Sequence, residues 1–442
     1  LSNSQKVLVV GLMLFSLFFG AGNLIFPAFL GQREATDVFS ATLGFLLTGT
    51  GLPLLGVAAM GFSQEKDVRT LAARVHPIYG LFFTMMLYLT IGPFFALPRT
   101  ATVAFEIGVV PIMGADITTV QPLYLAAFTV VFFALSLWIS LAPGKLVERI
   151  GKILTPALLI SILILSLYAV FQPMSALPQG TNDSAKQALM AGFIDGYNTM
   201  DALASMIFGV FVIQAIDNGQ SKAQLMKLTF YAGGIAAICL AVTYSFIAYI
   251  GATSVGLFGI LDNGAAVLAH TAQHYFGKAG NLLMAVIVFL ACLSTSVGLI
   301  CACADFFHRL IPKFSYKVWV WIFSIFAAAV ANYGLKALIT YSIPVLMWLY
   351  PLMITLILLT FLSPIFAHQR WVYRWTIGVT AVIGFFDAYK AAFGLSDATL
   401  ALLSKYLPMY EIGLGWLIPV ILIIGVGILC RLFRRPKVLT SI

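Results

Sequence analysis

The sequence predicts an all-α integral membrane protein of 12 transmembrane helices, and three observations predict it. Charged residues form 9% of the chain and apolar residues 61%, against roughly 25% and 45–50% in soluble domains. Apolar runs of about 20 residues, the length that crosses a hydrocarbon core, recur from end to end. The basic residues fall in small groups between those runs, as orientation signals do.

Taken in order, the runs place helices at 7–30, 38–62, 77–103, 121–142, 150–171 and 188–214. The second half continues with 226–252, 279–304, 317–333, 337–362, 372–393 and 412–431. None shows the short alternation of membrane strands, and a helix satisfies its own backbone in lipid. The first run lacks a small-residue cleavage motif and is long enough to span. It is therefore expected to be the first helix of the mature protein.

Charge gives the topology. Alternate connections hold Lys6; Lys66, Arg69 and Arg74; Lys145, Arg149 and Lys152; Lys222 and Lys227; Arg309, Lys313 and Lys317; Arg370 and Arg374; and Arg431, Arg434, Arg435 and Lys437. These are 18 of the 25 basic residues. The other side holds Arg33, Lys186, Lys278, Lys336, Lys390 and Lys405, with Arg99 near a helix end. By the positive-inside rule this multi-pass chain has both termini in the cytoplasm.

A net charge of +9 scattered in this way makes no basic patch, so no nucleic-acid partner is expected. Cys239, Cys292, Cys301, Cys303 and Cys430 lie in apolar runs or at their ends, suggesting neither a disulfide framework nor a zinc site.

Two helices carry interruptions. Gly20-Ala21-Gly22-Asn23, followed by Pro27, weakens the first span, and Gly196-Tyr197-Asn198-Thr199-Met200-Asp201 weakens the sixth. Spans one and six run in opposite directions, and breaks at matching positions of two inverted halves point to a transporter's binding site. Unwinding frees backbone groups at the midplane that persist only if they line a protein cavity. The plainer reading of the glycines is tight helix packing. Asp201 weighs against it, because an ionisable group at mid-membrane is costly and by default functional. Asp201 or Thr199 could equally cap the helix after the break.

Span eight carries Ala291, Ser294 and Thr295 on one face at i, i+3 and i+4. Two hydroxyls beside a carbonyl suit a hard cation such as sodium. Alternatively they bond back to their own helix.

Phe19-Gly20-Ala21-Gly22-Asn23-Leu24-Ile25-Phe26-Pro27 resembles the first-helix signature of bacterial branched-chain amino acid carriers, the leucine/isoleucine/valine:cation symporters. Gly92 through Thr102, continuing to Glu106, resembles their third-helix signature, and Gly196 through Ala204 their sixth. That family is similar in turn to the broken-helix transporters of the leucine-transporter fold. The resemblance implies a first repeat over 1–172 (spans one to five), an inverted second repeat over 188–362 (spans six to ten), and spans 11 and 12 with a tail over 363–442. It also implies sodium-coupled uptake of leucine, isoleucine and valine across the bacterial cytoplasmic membrane, with Na⁺ as coupling ion and no other cofactor.

By that resemblance, sodium lies between carbonyls at Ser16 and Phe19 and the partners Ala291, Ser294 and Thr295. Substrate carboxylate meets amides around Gly20, Ala21, Gly22 and Asn23. Its ammonium meets carbonyls around Tyr197 and Asn198, near Thr199 and Asp201, and Phe94 and Tyr197 supply an apolar wall. A second sodium would call on Asn23. Arg99 and Glu106 are expected either to close an external gate or to snorkel to water as an interfacial pair.

Three rivals stand beside this expectation. Asp201 could carry a coupling proton instead. A membrane enzyme would need clustered catalytic groups, yet His76, His270, His274, His308 and His368 all sit near span ends. A channel would show a repeated pore ring or filter motif.

Overall fold

The computed structural model describes residues 3–113, 121–142, 155–178, 182–217 and 219–433. Among the basic groups that set the topology, Lys145, Arg149, Lys152, Arg434, Arg435 and Lys437 lie outside the described residues.

Every regular element described is helical. The first span is two helices, α1 (Asn3–Phe18) and α2 (Ala21–Arg33), bent by 69°. The second is α3 (Val38–Leu46) and α4 (Leu52–Ser63), joined by the wide turn Leu47–Gly51. A short α5 (Val68–Ala72) precedes α6 (Pro77–Leu89), whose span continues through a second wide turn, Thr90–Phe94, into α7 (Ala96–Gly108) and α8 (Val110–Met113). Then follow α9 (Gln121–Ser140) and α10 (Thr155–Phe171). The sixth span is α11 (Asn182–Asp195), the tight turn Gly196–Thr199 and α12 (Asp201–Ile216), bent by 48°. The rest comprises α13 (Lys222–Phe258), α14 (Gly264–Leu310), α15 (Tyr316–Ala331), α16 (Leu335–Leu362), α17 (Arg370–Phe393), α18 (Asp397–Tyr406) and α19 (Leu417–Phe433).

Among the described residues, seven continuous stretches are long and apolar enough to cross a membrane, and two bent pairs pass the same test when each is taken as one broken span. Three shorter apolar helices, Ile162–Phe171, Tyr316–Ala331 and Leu417–Phe433, fall where spans were expected. The expected eighth span begins late, because α14 already starts at Gly264. Gly277, at φ 58° and ψ −145°, divides a leading segment from the span in a conformation that side chains resist.

The chain forms two compact units, Leu1–Gly61 with Met86–Ser342, and Phe62–Met85 with Ile343–Ile442. The first is packed through glycines. A Cβ on Gly31 would come 2.0 Å from the Ala248 carbonyl oxygen, and one on Gly251 2.1 Å from that of Ala28, so α2 and α13 meet backbone to backbone. Gly44 and Gly192 do the same for α3 and α11, at 1.9 Å from the carbonyl oxygens of Leu189 and Ala41. Without a hydrophobic drive in lipid, such close approach is what holds helices together. In the second unit, Trp348 Nε1 donates to the Ala381 carbonyl at 3.0 Å, and the Thr355 and Thr380 hydroxyls meet at 3.2 Å.

Candidate functional site

The first break falls at Phe19–Gly20. α1 ends when Phe19 N–H bonds to the Phe15 carbonyl at 2.7 Å, and α2 starts afresh at Ala21. Ala21, Gly22 and Asn23 are therefore the first turn of a helix, whose amides lack intrahelical acceptors and point into the break. The second break turns on Met200, a non-glycine residue in left-handed conformation at φ 64°, a geometry of the kind held at functional sites by surrounding structure.

The two breaks meet. A Cβ on Gly22 would come 3.3 Å from Thr199 Cα and 3.4 Å from both the Asn198 carbonyl oxygen and Arg99 Nη2. Between them lies a cavity with about 30 Å³ free, room for one or two waters. Gly20, Ala21, Gly22, Asn23, Thr199, Asp201 and Thr295 line it, with Arg99 and Thr100. Leu17, Phe18, Ile91, Met200, Phe208 and Leu299 supply its apolar wall.

A buried hydrogen-bond network ties the breaks together. Asn23 Nδ2 donates to Asp201 Oδ2 at 2.5 Å and also to the Tyr244 hydroxyl, which donates to the same carboxylate oxygen at 2.7 Å. Asn23 Oδ1 accepts the Gly20 N–H at 3.1 Å. Asp201 starts α12, where a negative charge is favoured by the helix dipole, and its N–H meets Thr199 Oγ1 at 3.4 Å. A single acidic side chain thus faces two helix N-termini.

Arg99 is buried beside the breaks rather than snorkelling to water. It is 2% exposed, lies 5.1 Å from the centre of the Phe26 ring and lines the same cavity as Asp201. Glu106 instead accepts from Gln121 Nε2 at 3.5 Å. The cause is a third interruption, at Gly92, whose φ −90° and ψ −124° break span three. A Cβ there would strike Cys303 Sγ at 2.5 Å, so only glycine admits this approach. Helix α7 restarts at Ala96 and carries Arg99 into the cavity one turn later.

Phe94 is likewise moved. It is 37% exposed and packs on Phe95 and Phe326 rather than lining the cavity. Tyr197 is buried against Phe193, with ring centres 5.7 Å apart, and like Asn198 sits behind the lining.

Three oxygens come together beside the first break. Thr295 Oγ1 lies 3.4 Å from the Leu17 carbonyl oxygen and 3.5 Å from that of Phe19. The Leu17 and Phe19 carbonyls thus face span eight, and Ser16 is buried nearby in α1. Ser294 Oγ donates to the Ala291 carbonyl at 2.8 Å, and a Cβ on Gly20 would meet Thr295 Oγ1 at 2.7 Å. His270 and His274 pack their rings on Phe258, and Asp305 pairs with Arg309 at 2.8 Å.

A family model described as "Branched-chain amino acid transport protein" matches residues 3–434. The chain belongs to that family. It is 45% identical over 434 residues to the branched-chain amino acid permease BrnQ of Bacillus subtilis (strain 168), covering 98% of each chain. It is 37% identical over 428 residues to the BrnQ of Escherichia coli (strain K12), covering 96% of this chain and 95% of that one. The family and these relatives are membrane transporters, not enzymes. Among solved structures, MhsT in complex with L-phenylalanine aligns with a TM-score of 0.61 at 16% identity, covering 95% of this chain and 98% of that one. Mhp1, a nucleobase-cation-symport-1 family transporter, aligns at 0.59 and 14%, covering 97% and 92%. Both neighbours have the leucine-transporter fold.

Proposed function

We propose that this carrier imports leucine, isoleucine and valine together with sodium by alternating access, binding the amino acid where the two breaks meet. The approach of Gly22 to Thr199 around a cavity holding both Arg99 and Asp201 carries the reading. A zwitterion needs one site of each sign. Arg99 and the amides of Ala21, Gly22 and Asn23 suit its carboxylate, and Asp201 with carbonyls of the sixth-span break suits its ammonium. The apolar wall takes the branched side chain. Since the free space holds only a water or two, the helices must part to admit substrate, as alternating access requires.

The sodium assignment rests on distance. A hard cation with oxygen ligands at about 2.4 Å sets neighbouring ligands about 3.4 Å apart. Thr295 Oγ1 keeps that separation from the Leu17 and Phe19 carbonyl oxygens, long for a hydroxyl hydrogen bond. Sodium there would join α1 to span eight and favour the substrate-competent arrangement.

The seven long stretches, two bent pairs and three shorter apolar helices among the described residues support twelve spans, and the charge distribution supports cytoplasmic termini. Gly31 with Gly251 joins span one to span seven, and Gly192 with Gly44 joins span six to span two. Spans one and six thus pack on corresponding partners, which supports inverted repeats over spans one to five and six to ten, with two helices beyond them.

The burial of the Asp201 carboxyl, 3% exposed, also favours a second reading, in which it carries a coupling proton. Leucine uptake into proteoliposomes decides between them. Uptake driven by an inward sodium gradient at equal pH supports sodium coupling. Uptake driven only by a pH gradient in sodium-free medium, and lost in Asp201→Asn, supports the proton.

A further inference from the structure

Away from the breaks, in the unit formed by Phe62–Met85 and Ile343–Ile442, basic side chains surround a second pocket of about 420 Å³. Arg74, His76, His368, Arg370 and Arg374 line it, with Tyr373 beneath. Both α6 and α17 begin at this pocket, with Pro77 and Arg370 as their first residues, so two helix N-termini add their positive ends.

The pocket is built rather than incidental. Arg374 Nε donates to the Val75 carbonyl at 3.3 Å, tying α17 to the segment before α6. Arg74 is held by Glu65 through both Nε (3.2 Å) and Nη2 (2.8 Å). His76 Nδ1 accepts the Ile78 N–H at 3.2 Å, and the residue lines the pocket. Ala367 and His368 both have positive φ, 54° and 53°, and Arg431 clamps the turn before them by donating to the Pro364 and Ile365 carbonyls at 2.6 and 2.8 Å. Two consecutive non-glycine residues in that region are costly, and this turn delivers His368 to the pocket. Glu65 is the single acid in contact with these groups among the interactions described, and Arg74 already engages it.

We propose that this pocket binds the phosphate of an anionic phospholipid headgroup. Three arginines and two imidazoles around one hollow match a phosphate, and guanidinium forks suit its oxygens. The flanks argue for a lipid rather than a soluble anion. Ile78 is 72% and Trp375 65% exposed, Ile78 two residues after His76 and Trp375 next to Arg374, each near the start of its span. Tryptophan favours the headgroup level, and both side chains are placed to meet the upper acyl chain. The charge distribution puts this end on the cytoplasmic side, where the surface is anionic.

The test is native mass spectrometry of the full-length carrier released from nanodiscs of phosphatidylcholine mixed with phosphatidylglycerol. The wild type should retain one phosphatidylglycerol in preference to phosphatidylcholine. Each basic residue near an anionic headgroup is worth roughly a fivefold gain in affinity, so Arg370→Gln with His368→Gln should retain at least about fivefold less. Arg370→Lys should largely restore retention. Lys313→Gln with Lys317→Gln, equally basic and exposed but outside the pocket, should match the wild type, and leucine uptake verifies that each variant is folded. Equal retention by the pocket variant and the wild type would overturn the proposal. So would inorganic phosphate protecting the wild type against heat at millimolar concentration while phosphatidylglycerol shows no preference, which would assign the pocket to a soluble anion.

Discussion

Asn23 donates to Asp201 across 2.5 Å, joining the first span's break to that of the sixth through one buried hydrogen bond. Tyr244 shares the same carboxylate oxygen, so the three act as a unit. Losing one partner of a buried charged network costs about 3–5 kcal/mol. Asn23→Ala and Asp201→Asn should therefore each cut leucine uptake by at least about a hundredfold. The double variant should be little worse than the weaker single one, as expected of residues that are coupled. Initial uptake rates in proteoliposomes, normalised to protein content, measure this, and additive losses would contradict the coupling.

Arg99 is assigned the substrate carboxylate. Arg99→Lys keeps a charge but loses the planar fork, so it should retain weak uptake with a raised KM, while Arg99→Gln should abolish it. Equal KM values for Arg99→Lys and wild type would show that the guanidinium does not touch substrate.

Gly20 makes room for Thr295, its absent Cβ falling 2.7 Å from Oγ1. Overpacking costs about 1–3 kcal/mol. Gly20→Ala should raise the sodium concentration for half-maximal uptake by roughly tenfold. Ser294→Ala with Thr295→Ala should remove sodium dependence while the protein still reaches the membrane. Unchanged sodium activation in either variant would contradict the placement of the ion.

The third interruption offers a rescue test. Gly92→Ala drives a methyl to 2.5 Å from Cys303 Sγ, which should displace α7 and Arg99 and reduce uptake strongly. Removing the sulfur in Gly92→Ala with Cys303→Ala should recover most of the loss. Failure to recover would mean that the turn needs glycine for its dihedral angles rather than for space.

Much of this architecture is legible in the sequence because lipid forces long apolar periods and an interruption has few innocent causes. The Gly20–Asn23 and Gly196–Asp201 clusters therefore marked both breaks. Arg99 was not legible in the same way. Read from its own helix it stands near a span end, where arginines ordinarily reach water, and only the break at Gly92 turns it inward. Gly92-Pro93 is itself a helix-breaking pair, but one such pair within an apolar run does not say which way the helix beyond it turns. The position of Phe94 depends on the same turn, which sets it against Phe95 and Phe326. The approach of the Leu17 carbonyl to Thr295 is not legible, because the exact end of α1 decides which carbonyls lie free, and no residue pattern fixes that.

Recognition of both charged ends of the substrate by the facing breaks is the central claim. Binding of radiolabelled leucine to purified carrier, in competition with leucinamide and with 4-methylpentanoate, tests it directly. These analogues lack the carboxylate charge and the ammonium respectively. The account predicts that each competes at least about a hundredfold more weakly than leucine, since a buried charge left without its partner is costly, and that Arg99→Gln selectively loses discrimination against leucinamide. Displacement of leucine by either analogue at leucine's own concentration would contradict it.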